Sequence, residues 1–199
     1  MRALRFFVYV FGVIFVAELP DKTALAALVL ATRRKALPVF FGAGLALTIQ
    51  SIVAVAAGSA LSLLPARPVH IGAGILFLVS AVIMWIRTDP DEDAGIAQDA
   101  PLAAQAPAAS FFGTLATSFG VVFIAEWGDL TQLATAAMAA RERAPLLVLT
   151  ASTLALWCVV AIAVTIGHRA SKAFRRDRLQ KAAAGVFAAV GVAFMTGWL

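Results

Sequence analysis

The chain has 199 residues, of which 62% are hydrophobic and 14% charged, and its mean hydropathy is +0.92. A composition this apolar excludes a soluble globular domain and an intrinsically disordered chain. The net charge of +5 would favour a nucleic-acid partner in a soluble protein, but here the basic residues cluster in loops beside apolar runs. We therefore expect an integral membrane protein whose surroundings are the lipid bilayer, with no nucleic-acid partner.

Six apolar runs follow one another along the chain, separated by charged or proline-containing breaks. Their bounds are residues 3–32, 37–64, 69–86, 111–140, 145–167 and 179–199. Because a helix needs about 20 apolar residues to cross a bilayer, these runs predict six transmembrane helices. The expected fold class is an all-α, multi-pass integral membrane protein.

The first and fourth runs are longer than one crossing requires, and each carries acidic residues near its middle, which predicts a kinked or interrupted helix. Between the third and fourth runs, residues 88–110 are rich in Ala, Pro and Asp, which is typical of a flexible aqueous linker. This divides the chain into a first three-helix unit, 1–87, the acidic linker, 88–110, and a second three-helix unit, 111–199.

The two units carry the same motif. The segment FGVIFVAELPDKT, residues 11–23, recurs 108 residues later as FGVVFIAEWGDLT, residues 119–131, and Arg33 matches Arg141 at the same offset. Because three helices are an odd number, the second unit enters the membrane from the opposite side. The pattern predicts two inverted three-helix repeats, which is an architecture of secondary transporters.

The loop charges predict the orientation. With Lys22 left out because it lies inside a span, five Lys and Arg residues flank one side of the membrane and ten flank the other. The positive-inside rule places the richer side in the cytoplasm. We expect both termini outside and the 88–110 linker in the cytoplasm, in the inner membrane of a bacterial-type cell.

Charged residues inside the spans are few and grouped. Apart from Arg5 and Lys181, which lie at the ends of their runs and are counted with the loops, they are Glu18, Asp21 and Lys22 in the first span and Glu126 and Asp129 in the fourth. A charge at the centre of a bilayer costs between about 2.5 and more than 10 kcal/mol, so an intramembrane acid is by default a candidate functional residue.

The spacing of the acids predicts a cation site. A Glu and an Asp three residues apart lie about 60° apart around a helix, so each pair can face one point. The inverted repeat then brings the two pairs together near the midplane. With the hydroxyls of Thr23 and Thr131 and the amide of Gln132, they form an all-oxygen cage suited to Ca²⁺, Mn²⁺ or Mg²⁺.

The residues between the acids shape the helix. Pro20 lacks an N–H and clashes with the carbonyl four residues earlier, so the first helix should break beside its acids. Gly128 holds the equivalent position in the second motif and permits a similar distortion. Lys22 either neutralises part of the site when the cation is absent or pairs with one carboxylate to lower the cost of burial.

Clustered carboxylates in a low dielectric repel one another and should take up protons when no cation is bound. A divalent cation would displace those protons. Together with the lack of an ATP-binding motif, this predicts a cation/proton exchanger, driven by the proton gradient, rather than an enzyme. The cation is bound transiently as substrate, and no resident cofactor is expected.

The motifs ELPDKT, Glu18 to Thr23, and EWGDLTQ, Glu126 to Gln132, resemble the two signature hexads of the GDT-type cation/proton exchangers, long catalogued as an uncharacterised family. Each family repeat carries Glu-x-Gly-Asp-(Lys/Arg)-(Ser/Thr), and the resemblance covers essentially the whole chain. It implies exchange of Ca²⁺ or Mn²⁺ for protons, and for a bacterial member it implies Mn²⁺ export.

Position by position, the resemblance implies that Glu18, Asp21, Glu126 and Asp129 are cation ligands. Thr23, Thr131 and Gln132 match supporting positions. The chain departs from the family pattern at two sites, where Pro20 replaces Gly and Leu130 replaces a basic residue. The second change leaves the site more negative by one charge.

Two alternatives stay open at this point. A metal-dependent intramembrane hydrolase of lipid phosphates would use the same carboxylates to hold Mg²⁺, but no Arg lies in the interior of a span to bind the phosphate. An exporter of amino acids or other organic cations explains poorly why four acids converge. The sequence leaves the choice between Mn²⁺ and Ca²⁺ open, and also the choice between a monomer and a homodimer.

Overall fold

The computed structural model describes residues 2–19, 27–28, 30–31, 34–86, 110–142, 144–167 and 176–196. These residues form seven helices: α1 (Arg2–Glu18), α2 (Ala36–Leu61), α3 (Ala66–Ile86), α4 (Phe111–Ala125), α5 (Leu130–Glu142), α6 (Pro145–Gly167) and α7 (Arg176–Thr196). The described residues among 27–31 are helical as well. The prediction of an all-helical protein is confirmed.

The helices differ in their ability to cross a membrane. Among the described residues, α2 and α6 are long and apolar enough to span a bilayer, and α4 and α5 together make a third candidate if they form one bent span. Shorter apolar helices cover Arg67–Ile83 and Ala184–Thr196. The predicted linker lies outside the described residues except for Ser110, so the predicted unit boundaries stay predictions.

Local sequence explains where several helices begin. The hydroxyl of Ser110 accepts a hydrogen bond from the Gly113 N–H at 3.2 Å and so caps the first turn of α4. Pro145 is the first residue of α6, and Pro38 lies in the first turn of α2. At these positions a proline costs no helical hydrogen bond, because the first N–H groups of a helix have no partner within it.

The fourth apolar run is interrupted as predicted. α4 ends at Ala125, α5 begins at Leu130, and their axes are bent by 73°. In the first run, α1 ends at Glu18, two residues before Pro20. Pro20 itself lies outside the described residues, so the effect predicted for it is a prediction still.

The helices pack around α2, which contacts α4, α5 and α6, while α1 packs on α6 and α3 on α7. Glycines allow several of these close approaches. A Cβ atom at Gly42 would collide with the Leu115 carbonyl oxygen, and one at Gly58 with the Ala136 carbonyl oxygen. Small residues at such crossings let two backbones come together, which is the usual basis of helix packing inside a membrane.

Aromatic side chains pack at two helix interfaces, between α3 and α7 and between α2 and α6. Phe77 of α3 and Phe187 of α7 are both buried, with their ring centroids 5.2 Å apart. Trp157 of α6 lies over Gly44 of α2, and its Nε1–H donates to the Gly44 carbonyl oxygen at 3.1 Å and to the Thr48 hydroxyl at 3.0 Å. The first contact joins α3 to α7, and the second holds α6 against α2.

Candidate cation site

Three carboxylates meet where helices end. Glu18 is the last residue of α1, Glu126 follows the last residue of α4, and Asp129 precedes α5. One oxygen atom from each carboxylate lies within 4.8 Å of the other two. Glu18 and Glu126 are 0% and 2% exposed, and Asp129 is half-buried. The structure thus brings acids from both halves of the chain to one point.

The turn between α4 and α5 depends on Gly128. The Glu126 N–H still bonds to the Val122 carbonyl at 3.0 Å, but the chain then leaves the helix and Gly128 adopts a φ of 81°. This left-handed conformation is accessible to glycine at little cost and unfavourable for residues with a Cβ atom. In the structure, the turn beside the acids thus passes through Gly128.

Asp129 caps the helix that follows it. Its Oδ2 atom accepts hydrogen bonds from the Thr131 N–H at 3.2 Å and from the Thr131 hydroxyl at 3.1 Å. These are the contacts of an N-cap aspartate, which satisfies one of the unpaired N–H groups of the first turn. In the structure, Thr131 therefore orients the Asp129 carboxylate by donating to it.

Gln132 closes the turn from the other side. Its Oε1 atom accepts a hydrogen bond from the Gly128 N–H at 2.8 Å, and its Nε2 atom donates to the Gln50 carbonyl oxygen over a longer 3.5 Å. The amide of Gln132 thus spans the break between α4 and α5 and links it to α2.

Sequence reasoning missed Gln50 of α2. This residue is 4% exposed, and its Nε2–H donates to the Phe123 carbonyl oxygen of α4 at 2.8 Å. The signal was present, because an amide side chain in the middle of an apolar span needs a partner. No sequence pattern indicates which partner it has, since Phe123 lies 73 residues away.

The remaining predicted residues of the first motif lie outside the described part of the chain. They are Pro20, Asp21, Lys22 and Thr23. The structure therefore brings together three of the four predicted carboxylates, and the position of Asp21 stays a prediction. Leu130, at the position where the family pattern has a basic residue, is the first residue of α5.

The donor set suits a hard divalent cation. Two oxygen atoms bound to one Ca²⁺ at about 2.3–2.6 Å can lie up to roughly 5 Å apart. The three carboxylate oxygens, at most 4.8 Å apart, lie within this range. Carboxylates are ligands that Ca²⁺, Mg²⁺ and Mn²⁺ prefer, and a cation would compensate the charge that these helices bury.

A cavity lies among α2, α5 and α6. It has a volume of about 520 Å³ and is lined by Ser59, Ser62, Leu63, Ala139 and Pro145, between the end of α2 and the start of α6. Along both α2 and α5, the close contact of Gly58 with Ala136 separates this cavity from the Gln50–Gln132 pair. The two helices thus meet tightly between the cavity and the break.

These features define the class: a multi-pass helical membrane protein with buried carboxylates at the broken ends of its helices. The sequence profile of the divalent cation/proton antiporter GDT1 family matches residues 6–92 and 114–198, which is most of the chain. The chain belongs to this family of antiporters. It is therefore a transporter rather than an enzyme, which argues against a lipid-phosphate hydrolase.

Individual relatives agree with the profile. The chain is 32% identical over 142 residues to the GDT1-like protein sll0615 of Synechocystis, covering 66% of this chain and 68% of that protein. It is 32% identical over 154 residues to the chloroplastic protein PAM71 of Arabidopsis thaliana, covering 67% of this chain and 41% of that protein. It is 26% identical to the GDT1-like protein C17G8.08c of Schizosaccharomyces pombe, covering 96% and 82%. No solved structure matches this chain.

Proposed function

We propose that Glu18, Asp21, Glu126 and Asp129 form the site that binds the divalent cation and the protons in turn, and that the protein exports Mn²⁺ or Ca²⁺ from the cytoplasm. The observation that carries this proposal is the meeting of Glu18, Glu126 and Asp129 within 4.8 Å inside a helical membrane protein. An antiporter of this family needs one place where cation and proton compete, and buried carboxylates provide it.

The competition follows from electrostatics. Without a cation, several carboxylates this close together repel one another, and protonation relieves both the repulsion and the cost of burial. A divalent cation supplies the same compensation when the protons leave. Because protons and the cation compensate the same negative charges, inward movement of protons and outward movement of the cation are coupled.

The proposed architecture is six membrane spans in two inverted three-helix repeats, with α4 and α5 as one broken span. The helix contacts support it. Exchanging the two halves of the chain turns the contact of α1 with α6 into that of α4 with α2, and leaves the α2–α6 and α3–α7 pairs as they are. A pseudo-two-fold axis in the membrane plane has this effect.

We further propose that both termini face outward and that residues 88–110 face the cytoplasm, in the inner membrane of a bacterial-type cell. The excess of Lys and Arg on one side supports this orientation. One chain supplies acids from both repeats to the cluster, so a monomer contains a whole site and a homodimer would contain two.

Cation-triggered proton movement in sealed proteoliposomes tests the proposal. The vesicles contain a pH dye, and Mn²⁺, Ca²⁺ and Mg²⁺ are added in turn across an imposed pH gradient. We expect a response to Mn²⁺ or Ca²⁺ that is lost in Asp129→Asn and in Asp21→Asn. Each substitution replaces a carboxylate with a neutral amide and so removes a negative charge that would balance the cation.

The control variant is Asp99→Asn, which makes the same chemical change in the linker and should exchange like the unmodified protein. Circular dichroism and gel filtration of each variant in detergent establish that it is folded. Retained exchange in both Asp21→Asn and Asp129→Asn would refute the proposed site, and folded protein that responds to none of the three ions would refute the proposed function.

A further inference from the structure

Two glutamines lie in the interior of apolar runs, and the structure brings them together. The chain has no asparagine and five glutamines, of which Gln98 and Gln105 lie in the linker and Gln180 near the start of the last helix. The other two, Gln50 and Gln132, lie in the interior of the second and fourth runs. An amide is costly to bury in a membrane unless its donors and acceptor are paired, so this placement calls for an explanation.

Gln50 supplies a hydrogen bond that the broken helix has lost. Phe123 lies in the last turn of α4. The carbonyl oxygens of a last turn lack the helical N–H donor that would come four residues later. The Trp127 N–H bonds at 3.4 Å to the Ile124 carbonyl instead of continuing the helix to Phe123. The Gln50 Nε2–H fills that position at 2.8 Å.

Gln132 fixes the other side of the same break. It accepts from the Gly128 N–H within the turn, and it donates to the Gln50 carbonyl oxygen on α2. Gln50 thus bonds to the chain before the bend, and Gln132, which lies after the bend, bonds to the chain within it. The two acids Glu126 and Asp129 lie between these anchored points.

The first motif has no counterpart of this pair. At the offset of 108 residues, Ala24 corresponds to Gln132 and Cys158 to Gln50, while Pro20 corresponds to Gly128. A proline enforces a helix break through its own covalent ring, whereas a glycine only permits one. The second break consequently needs bonds from elsewhere to hold one geometry.

We propose that Gln50 is a positioning residue for cation binding: by fixing the end of α4 against α2, it sets the separation between the Glu126 and Asp129 carboxylates. This inference rests on the proposed function of these acids. Gln50 acts through the backbone of Phe123, in the way that outer-shell partners fix the orientation of metal ligands. Loss of this positioning should therefore weaken the binding of an ion with strict geometry more than that of Ca²⁺, which tolerates variable ligand distances.

Mn²⁺ binding to the purified full-length protein in detergent provides the test. The electron paramagnetic resonance signal of free Mn²⁺ gives the Kd and the number of sites, and competition with Ca²⁺ gives the Kd for Ca²⁺. In Gln50→Met, which keeps the side-chain length and removes the hydrogen bond, we expect the Kd for Mn²⁺ to rise about tenfold. The Kd for Ca²⁺ should rise less, because Ca²⁺ tolerates more variable ligand distances.

The matched control is Thr48→Val on the same helix. Its hydroxyl bonds to the Gly44 carbonyl at 2.7 Å and to Trp157, away from the break, so both Kd values should stay unchanged. A purely structural role of Gln50 would lower the number of sites per protein and leave both Kd values and their ratio unaltered. That result overturns the inference.

A second variant covers a failure of Gln50→Met to fold. Gln132→Met removes the same anchoring from the other side and should also raise the Kd for Mn²⁺ more than that for Ca²⁺. Unchanged Kd values in this variant overturn the inference as well. If the unmodified protein binds and exchanges cations while the variants match it, only the positioning role is wrong. If the unmodified protein binds neither ion, the proposed function is wrong too.

Discussion

At the scale of single residues, the site uses side chains that serve two purposes. Asp129 caps α5 through Thr131 and also presents its carboxylate to Glu18 and Glu126. Holding the carboxylate at a helix N-terminus fixes its direction before any ion arrives. Gly128 next to it adopts a φ of 81°, and that conformation gives the turn its shape.

The effect of the positive φ at Gly128 can be measured separately from any effect of steric contact. A Cβ atom would meet nothing within 4 Å at Gly128 or at Gly120 of α4, so neither alanine is excluded by contact. We expect Gly128→Ala to lose about 1–2 kcal/mol of stability, because it forces an alanine into the left-handed region.

The matched variant Gly120→Ala should be neutral or gain roughly 0.5–1 kcal/mol, since alanine favours an ordinary helical conformation. Reversible unfolding in detergent micelles, followed by circular dichroism, measures both changes. Equal effects of the two substitutions would show that the positive φ of Gly128 is not what makes it necessary.

At the scale of helices, the sequence predicted the elements better than the contacts between them. Each of the six apolar runs overlaps one or two of the described helices, and the interruption of the fourth run was visible from its length, Glu126, Asp129 and Gly128. Hydropathy carries this information because the bilayer sets both the length and the composition of a span. The meeting of Glu18 with Glu126 followed from the repeat.

The contacts of Gln50 could not be predicted in the same way. Its partner is a backbone carbonyl, and every residue of α4 offers one, so no side-chain pattern distinguishes Phe123 from its neighbours. Which carbonyl accepts from Gln50 is set by the position along the two helices at which α2 and α4 cross. That position depends on Gly42 packing against Leu115. Such a register is a property of two helices together.

The tight crossing of α2 and α5 leads to a prediction about Gly58. A methyl group at Gly58 would collide with the Ala136 carbonyl oxygen, whereas one at Gly72 of α3 would meet nothing within 4 Å. We expect Gly58→Ala to destabilise the protein by about 1–3 kcal/mol, because α2 and α5 must move apart.

Gly72→Ala is the control and should leave stability unchanged or slightly raised. Thermal unfolding of both variants in the same detergent gives the comparison. Because Gly58 lies between the cavity and the Gln50–Gln132 pair, Gly58→Ala should also slow cation exchange. A variant with unaltered stability and exchange would show that the helices separate here without cost.

At the scale of the whole molecule, the proposed inverted repeat requires an even number of crossings and termini on the same side. The single cysteine, Cys158, is half-buried in α6 and can be replaced to give a cysteine-free background. Ala3→Cys, Ala103→Cys and Leu199→Cys are then introduced one at a time. A membrane-impermeant maleimide labels whichever of these sites faces the reagent.

In intact spheroplasts we expect labelling of the Ala3→Cys and Leu199→Cys variants, and in inside-out vesicles labelling of the Ala103→Cys variant. This outcome would fit six spans with a cytoplasmic linker. Labelling of the Ala3→Cys and Leu199→Cys variants from opposite sides would contradict the inverted repeat. A complete reversal of the pattern would keep the repeat and reverse the proposed orientation.

The ends of the helices have one more consequence, which concerns the electric field of the backbone. Glu18 and Glu126 stand at the carboxyl ends of α1 and α4, where aligned peptide dipoles amount to roughly half a negative charge each. The amino end of α5 opposes them with a similar positive charge beside Asp129. Cation attraction is therefore strongest toward the two glutamates, and this part of the field persists when every carboxylate is protonated.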